Sequence, residues 1–489
     1  MIHVYKLNDK LFLNMSNEKF LYGASVQGIQ SFIFQTNKLK EIAGASALVD
    51  ELCKTFFVDA FMVDEESFIT KTAGNIKCIV DEETCKKIVR SFPKLALNYA
   101  PGITISQAVV KLDGETSPEN ITKEKINHLE KLLRTQRNRQ FMPVDTGYMG
   151  LERARRTSGV GVEYNKKGEV VDRATKSKTN APEKDTLGIF EKFSGLKVDA
   201  LQVPFDLKDI TGNDSENSWI AIVHADGNSI GNLVQNIEPG EFKAFSKNLQ
   251  KATHAAAQAA FSSLDITIKN GEKYPLRPVI LGGDDLTLII RADLALKFTE
   301  NYLKAFEEKT EECLGKKLTA CAGIAYIKQN YPFHYGVDLA EALTKEAKKA
   351  SKKISSDSPP SSLSFYKVLS SFVESLEEMK KRTHKTKGNL SFDHGPYFIH
   401  RQKEKALVQD ITSKIETIKK NEEGLQGVGK LRHWLTLLQK DTDEANLYLD
   451  RMKQVNHKLY EAMGLDNERN KNTTIIYDVV QLYSFEQSK

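Results

Sequence analysis

Cysteine is scarce in this chain: five in 489 residues, at Cys53, Cys78, Cys85, Cys313 and Cys321. No two stand in Cys-x-x-Cys spacing, so the usual pattern of a structural zinc site is missing and no zinc is expected. The five read instead as small buried residues of strands and helices, and their number suits a reducing cytoplasm. Long apolar runs are missing too. None approaches the ~18 residues of a membrane span, and Met1-Ile2-His3-Val4-Tyr5-Lys6 lacks the pattern of a signal peptide. A cytoplasmic protein that does not engage a membrane is expected. A strong charge of one sign is absent as well, the formal net charge being +5. Global charge therefore does not announce a nucleic acid, and any such contact would rest on local patches.

What is present is a chain long enough for three to four domains, with 40% hydrophobic residues, enough to bury large cores. Its most informative stretch is Leu281-Gly282-Gly283-Asp284-Asp285-Leu286, between Pro278-Val279-Ile280 and Leu288-Ile289-Ile290. Two glycines between β-type runs predict a tight hairpin. Paired carboxylates at its tip are hard oxygen ligands held at short range, as a divalent metal requires. Taken alone, the tetrapeptide is equally a turn capped by solvated Asp residues. A second motif shifts the balance. The apolar run Trp219–Ala225 leads directly into Asp226-Gly227-Asn228-Ser229-Ile230-Gly231. A carboxylate at the carboxyl end of a strand, before a helix start, is where ligands bind on open sheets. Asp226, Asp284 and Asp285 together are candidate ligands of two Mg²⁺ or Mn²⁺ ions roughly 3.5–4 Å apart, with a nucleoside triphosphate such as ATP as the usual companion.

The order around these motifs is that of a palm. The spacing predicts strands at 218–225, 277–281, 285–290 and 318–327, and helices at about 241–263, 292–309 and 336–353. That is the ferredoxin-like β-α-β-β-α-β order plus a trailing helix. Lys348 on the trailing helix is a candidate triphosphate contact, or one of several solvated lysines. A similar order appears earlier without the carboxylates. A strand at 20–25 runs into Val26-Gln27-Gly28, a helical segment holds Ala43-Gly44-Ala45-Ser46, and Ala73-Gly74-Asn75 centres a hairpin. A helix at 83–98 and a strand at 103–110 complete it. The pattern reads as a divergent internal repeat, with Ala73-Gly74-Asn75 where the second palm has Gly283-Asp284-Asp285 and Val26-Gln27-Gly28 where it has Ala225-Asp226-Gly227. A site without carboxylates is a poor host for two Mg²⁺ ions, so the first palm is expected to be a partner surface.

The chain resembles the polymerase-cyclase large subunit of type III CRISPR effector complexes, the Cas-ten or Cmr-two family. Three matches carry the resemblance. One is Gly28-Ile29-Gln30-Ser31-Phe32-Ile33 with Ala43-Gly44-Ala45-Ser46. Another is Asp226-Gly227-Asn228-Ser229-Ile230-Gly231. The last is Gly282-Gly283-Asp284-Asp285 followed by Ala322-Gly323-Ile324-Ala325 and the Ala340–Lys348 segment. The likeness covers most of residues 18–355 in order. It implies an α+β fold of two tandem palms and a helical tail, conversion of ATP into a cyclic oligoadenylate-type messenger, and assembly with effector subunits, guide RNA and target RNA. Asp226, Asp284 and Asp285 would be catalytic ligands. Gly227, Asn228, Ser229, Gly231, Gly282, Gly283 and Lys348 would contact the nucleotide. Two departures stand out. The chain has no His-Asp dipeptide, so the nuclease domain with which family members often begin is not expected. The region 150–180, where the family often carries a zinc-binding cysteine set, has no cysteine.

The expected division is 1–145, a degenerate first palm; 146–215, an insertion or linker between palms; 216–358, the second palm; and 359–489, a helical domain. Residues 150–190 read as a loop insertion rich in Gly, Lys and Arg, including Arg153, Arg155, Arg156, Lys166, Lys167, Arg173, Lys176 and Lys178. It is either RNA-facing or a solvated linker. Lys380-Lys381-Arg382, with His384, Lys385 and Lys387, forms a second basic patch, again either RNA-facing or a polar helix end. From about 361 a helix is expected, because Phe365, Val368, Leu369, Phe372, Val373 and Leu376 recur at helical spacing. Amphipathic helices follow at 407–420, 429–439 and 444–458, with Leu431, Trp434, Leu435 and Leu438 as core. Three functions remain open at this stage: an oligonucleotide cyclase within a CRISPR complex, a free-standing cyclase in phage defence, and a catalytically silent scaffold of an RNA-guided complex.

Overall fold

The computed structural model describes residues 18–486, apart from 73, 114–116, 119, 139–149, 213–217, 270, 371–373, 404, 421–423 and 470. Ala73, Phe372 and Val373, named above, and the segment Met1–Lys6 lie outside the described residues. No described helix is long and apolar enough to cross a membrane. The chain forms two compact units. One holds the described residues of Met1–Ile33, Gly44–Ala181 and Val234–Lys247; the other holds those of Phe34–Ala43, Pro182–Leu233 and Asn248–Lys489.

The first palm is a four-stranded antiparallel sheet of β1 (Lys19–Gln27), β2 (Phe68–Thr72), β3 (Asn75–Asp81) and β4 (Thr104–Lys111). Its order is β2-β3-β1-β4, the ferredoxin-like arrangement that the sequence periodicity implies. The central strand β1 buries Leu21 and Tyr22 completely. One helix, Lys123–Arg137, crosses β1 at Gly23, where an added Cβ would stand 2.7 Å from Leu129 Cδ2. Leu129 and Leu133 of that helix close a core with Leu21, Ile79 and Val110.

Residues 150–190 are not a loop. β5 (Gly161–Tyr164) and β6 (Val170–Asp172) form a hairpin, followed by the helices Arg173–Thr179 and Glu183–Ser194. These strands are too short to leave a periodic trace, and polar contacts organise them. Asn165 Oδ1 accepts the backbone N–H groups of Lys167 and Glu169, and Asp172 caps the next helix through Thr175 N. Lys178 is not solvated either: its ammonium is buried, donates to Phe32 O at 2.6 Å and lies over the Phe32 ring.

The second palm is built on β7 (Trp219–Gly227), β8 (Leu276–Gly282), β9 (Asp285–Arg291) and β10 (Ala320–Lys328), again in the order β8-β9-β7-β10. Strand β7 is central, and Ile220–Ala225 are buried without interruption, which is why it reads as a continuous apolar run and not as an alternation. The helix Phe333–Ile354 packs on β7 and β10. It can do so because Gly323 lacks a side chain: a Cβ there would meet Ala340 O at 2.0 Å and Thr344 N at 2.6 Å.

The sheet then gains two strands that the sequence reading missed. β11 (Ser362–Lys367) runs parallel to β10, and β12 (Tyr397–Phe398) pairs with β11. The stretch from 361 is therefore a strand before it is a helix, and the tail's first helix is Leu376–Thr383. A short apolar run fits both periods, and here the open edge of β10 decides. Ser361 and Ser362 take buried hydroxyl partners at this edge, Ala320 N donating to Ser361 Oγ and Ser351 Oγ lying 2.7 Å from Ser362 Oγ. The remaining tail is helical as expected: Val408–Lys420, Gly424–Lys440, Thr442–Val455, His457–Met463 and Ile476–Glu486 are its main helices. Leu431, Trp434, Leu435 and Leu438 are all buried core.

Gly323→Ala is expected to destabilise the protein by about 1–3 kcal/mol, the usual cost of forcing a methyl group against packed backbone. Gly429→Ala, on an exposed helical position with open space around it, is expected to stabilise by up to about 1 kcal/mol. Denaturant melts of the two variants beside the parent protein check both signs.

Candidate metal and nucleotide site

Three acidic residues converge at one end of the second palm sheet. Asp226 lies near the carboxyl end of β7, opposite Cys321 of β10. On the other side, Ala225 pairs with Leu286 of β9, which brings Asp285 beside Asp226. Strands β8 and β9 close on the pair Gly282–Asp285, leaving Gly283 and Asp284 as a two-residue turn. Gly283 has φ +62, the left-handed conformation that such a turn needs at its first position. One carboxylate oxygen from each of Asp226, Asp284 and Asp285 lies within 4.8 Å of the others, and no further cluster of this kind occurs among the described residues.

Gly227 makes the convergence possible. A Cβ there would stand 2.9 Å from Asp284 Oδ2 and 2.4 Å from Ile230 Cδ1. Beyond it, Ser229 adopts φ +58, and its carbonyl receives Asn232 N and Leu233 N to open the short helix Ile230–Asn236. Gly231 is exposed and, like Gly282 and Gly283, has nothing within 4 Å of an added Cβ. Asn228 behaves differently. It is buried, and its Nδ2 donates to Thr319 Oγ1 at 3.0 Å and Pro359 O at 3.4 Å, while Oδ1 has no partner among the described residues. It ties the turn to the start of β10.

Lys348 reaches the site, as its place on the trailing helix suggests. Its Nζ sits 2.5 Å from Asp226 Oδ2 and 2.8 Å from Gly227 O. Even so, negative charge is in excess. Burial, and then the charge of Asp226, push the Asp284 carboxyl up to about 6. Asp285 reaches the surface, yet the protein packed about it displaces it upward too; desolvation is the largest cause, followed by the charges of Asp284 and Asp226. Hard oxygen donors, like charges in close quarters and open space above the turn together fit a divalent cation.

Several neighbours were not legible as site residues. His224, two positions before Asp226, is buried and held neutral, burial pushing it down to about 4. Its Nδ1 lies 3.0 Å from Thr287 Oγ1, and its carbonyl receives Thr344 Oγ1 at 3.0 Å. These contacts lock β7 to β9 and to the Phe333–Ile354 helix. A single histidine inside an otherwise apolar buried run is the sequence signal that would have pointed to this contact. Glu341 and Lys345 on the same helix, paired at 3.7 Å, add their charges to the surroundings of the site.

In the first palm, the sheet register places Ser25 opposite Asn75, as Asp226 stands beside Asp285. Ser25, not Gln27, thus occupies the position of Asp226. Gly74, φ +84, stands where Asp284 does. Arg137 Nη2 donates to Ser25 Oγ at 2.7 Å, so this position carries a cation and not an acid. The basic patch at 380–387 is largely paired: Lys380 with Glu346 and Asp393, Lys381 with Glu377, Arg382 with Glu374. Lys176 pairs with Glu163, and Arg153 donates to Ser158 O.

Residues 219–355 match the family model described as Cas10/Cmr2, second palm domain. No curated protein matches the chain. Among solved structures, a chain of the Csm1-Csm4 cassette in complex with AMPPNP is 13% identical with a TM-score of 0.54, over 96% of this chain and 70% of that one. The cassette in complex with cA4 gives 14% identity and a TM-score of 0.52 over 96% and 70%. The apo cassette gives 15% identity and a TM-score of 0.44 over 68% and 53%. The chain thus spans between about half and 70% of the length of these solved chains. Their likeness is one of fold, and the family model is specific to the domain that carries the three carboxylates. Residues 219–355 thus carry the second palm domain of the Cas10/Cmr2 family.

Proposed function

We propose that this chain is a metal-dependent nucleotidyltransferase that converts ATP into a cyclic oligoadenylate-type messenger as part of type III CRISPR antiviral defence. The observation that carries the reading is the meeting of Asp226, Asp284 and Asp285 within one 4.8 Å cluster inside the palm that matches the family model. It is supported by the bound states of proteins with this fold, which include AMPPNP, one ATP, pppApA and cA4. Intact carboxylates at both motifs speak against a silent scaffold.

Asp226 and Asp284 are the principal metal ligands, and Asp285 is a ligand or orients one. Bound Mg²⁺ or Mn²⁺ would supply Lewis acidity toward the attacking ribose hydroxyl and the α-phosphate. The chain's own residues do the rest. Lys348, paired with Asp226, would offer its ammonium to a triphosphate as a point charge. Asn228 N is taken by Thr319 O, so the Ser229–Gly231 end of the turn is the part that would offer backbone N–H groups to a phosphate, and the open space above Gly282 and Gly283 would admit the nucleotide. By this reading the chain acts with effector subunits, guide RNA and target RNA; the solved chains that support a protein partner are those of the Csm1-Csm4 cassette with the same fold.

Purified protein supplied with ATP and Mg²⁺ or Mn²⁺ is expected to form a phosphodiester-linked product, and Asp284→Ala with Asp285→Ala to abolish it. Mass spectrometry of the reaction decides, and an undiminished yield from the double variant would falsify the mechanism. The raised Asp284 pKa gives a second expectation. Cation binding needs the ionised carboxylate, so Mn²⁺ affinity should fall as pH drops through about 6. In the metal-free protein the sign reverses: an acid whose folded pKa lies above its unfolded value costs stability as pH rises from about 4 to 6. Asp284→Asn should therefore raise the metal-free melting temperature at pH 7.5 and remove the further rise that Mn²⁺ produces. Thermal scans with and without Mn²⁺ measure both effects. Purification from the native host is expected to recover guide RNA and small subunits with this chain. Full synthesis by the isolated chain, unaffected by RNA, would favour a free-standing cyclase instead.

A further inference from the structure

Asp284 is only as well placed as the peptide that precedes it. With Gly282 and Asp285 as the closing pair, the Gly283–Asp284 peptide is the tip of the hairpin, outside the strand ladder. Flipping the central peptide of a two-residue turn interconverts its primed forms at the same positive φ of the first residue and changes the sign of φ at the second. Gly283 at φ +62 is compatible with both forms, and Asp is among the residues that tolerate the left-handed conformation. Asp284 does not adopt a positive φ and so leans toward the form observed, but its tolerance of the left-handed region leaves that preference weak.

The selection comes from outside the turn. Thr253, on the helix Pro239–Ser262, has no exposed surface, and its Oγ1 donates to Gly283 O at 2.6 Å. The same oxygen lies 3.0 Å from Leu249 O one helical turn back. A hydroxyl has one proton, and the shorter contact is to the turn. Because the peptide is planar, fixing its carbonyl also fixes the Asp284 N–H on the other side. One buried hydroxyl therefore fixes the carbonyl, the N–H and the direction in which Asp284 leaves the backbone.

We propose that Thr253 is a positioning residue for Asp284: its hydroxyl holds the Gly283–Asp284 peptide in the single orientation that presents Asp284 to Asp226 and Asp285. This rests on the reading of the three carboxylates as a cation site. Thr253→Val removes the hydroxyl at nearly constant volume, and Thr253→Ser keeps it. Binding of Mn²⁺ alone, followed by electron paramagnetic resonance, is expected to weaken at least fivefold in Thr253→Val and to stay within twofold of the parent in Thr253→Ser. A merely structural role would lower stability without this split. A crystal structure of Thr253→Val should show the peptide flipped or in two orientations. An unmoved peptide together with parental Mn²⁺ affinity overturns the proposal. Should Thr253→Val fail to fold, Thr253→Ala is measured in the same way. If the parent binds Mn²⁺ but makes no product from ATP, the enzymatic reading fails while the Mn²⁺ comparison still decides the role of Thr253. If the parent binds no Mn²⁺, the cation-site reading fails and the peptide orientation decides.

Discussion

Electrostatic repulsion among Asp226, Asp284 and Asp285 is what the second palm is built to withstand. Three carboxylates within 4.8 Å of one another separate unless the backbone beneath them cannot move. The central strand β7 meets that demand with an unbroken buried run, neighbours on both sides, and a neutral His224 bonded across to β9. The hairpin meets it with a two-residue turn, the shortest link between β8 and β9. Lys348 relieves part of the strain on one side of the cluster but leaves the Asp284–Asp285 side with raised proton affinity. The cluster thereby holds more negative charge than the protein itself offsets.

Close approach is the second constraint, and glycine supplies it at two levels. Gly227 makes room for Asp284 inside the cluster. Gly323, a full layer away, lets the backbone of the Phe333–Ile354 helix lie against β10, and that helix is what carries Lys348 to Asp226. A methyl group at the second position would lift the helix off the sheet and move the lysine away from its partner, although neither residue touches the other.

Much of this was legible in the sequence, for identifiable reasons. The palm order follows from long elements with clear periods, and the acidic cluster from carboxylates placed where a strand ends and where a Gly-Gly turn begins. Lys348 stood equally as a triphosphate contact and as one of several solvated lysines, and its place beside Asp226 emerges only in the fold. Other features left little or no signal. Ser361–Lys367 fits both periods, and only the open edge of β10 makes it a strand. The β5–β6 hairpin is too short for periodicity and is organised by Asn165 and Asp172. The correspondence of Asp226 with Ser25, not Gln27, is a matter of register, which spacing in a linear chain does not contain. Thr253 looks like any buried helical threonine until the hairpin is seen beside it.

The parallel pairing of β11 with β10 alters what the second palm is as a physical object. The strand that follows the trailing helix belongs to the same sheet, with Val368 N donating to Tyr326 O at its end. A fragment cut after the helix, at the apparent end of the palm, would strip β10 of this partner and leave a long apolar strand with a row of vacant carbonyl and N–H groups at an exposed edge. Such an edge recruits strands from other molecules. The excised palm would therefore tend to self-associate, and the smallest fragment that keeps this sheet closed must extend into the tail, to the Tyr397–Phe398 strand that covers β11.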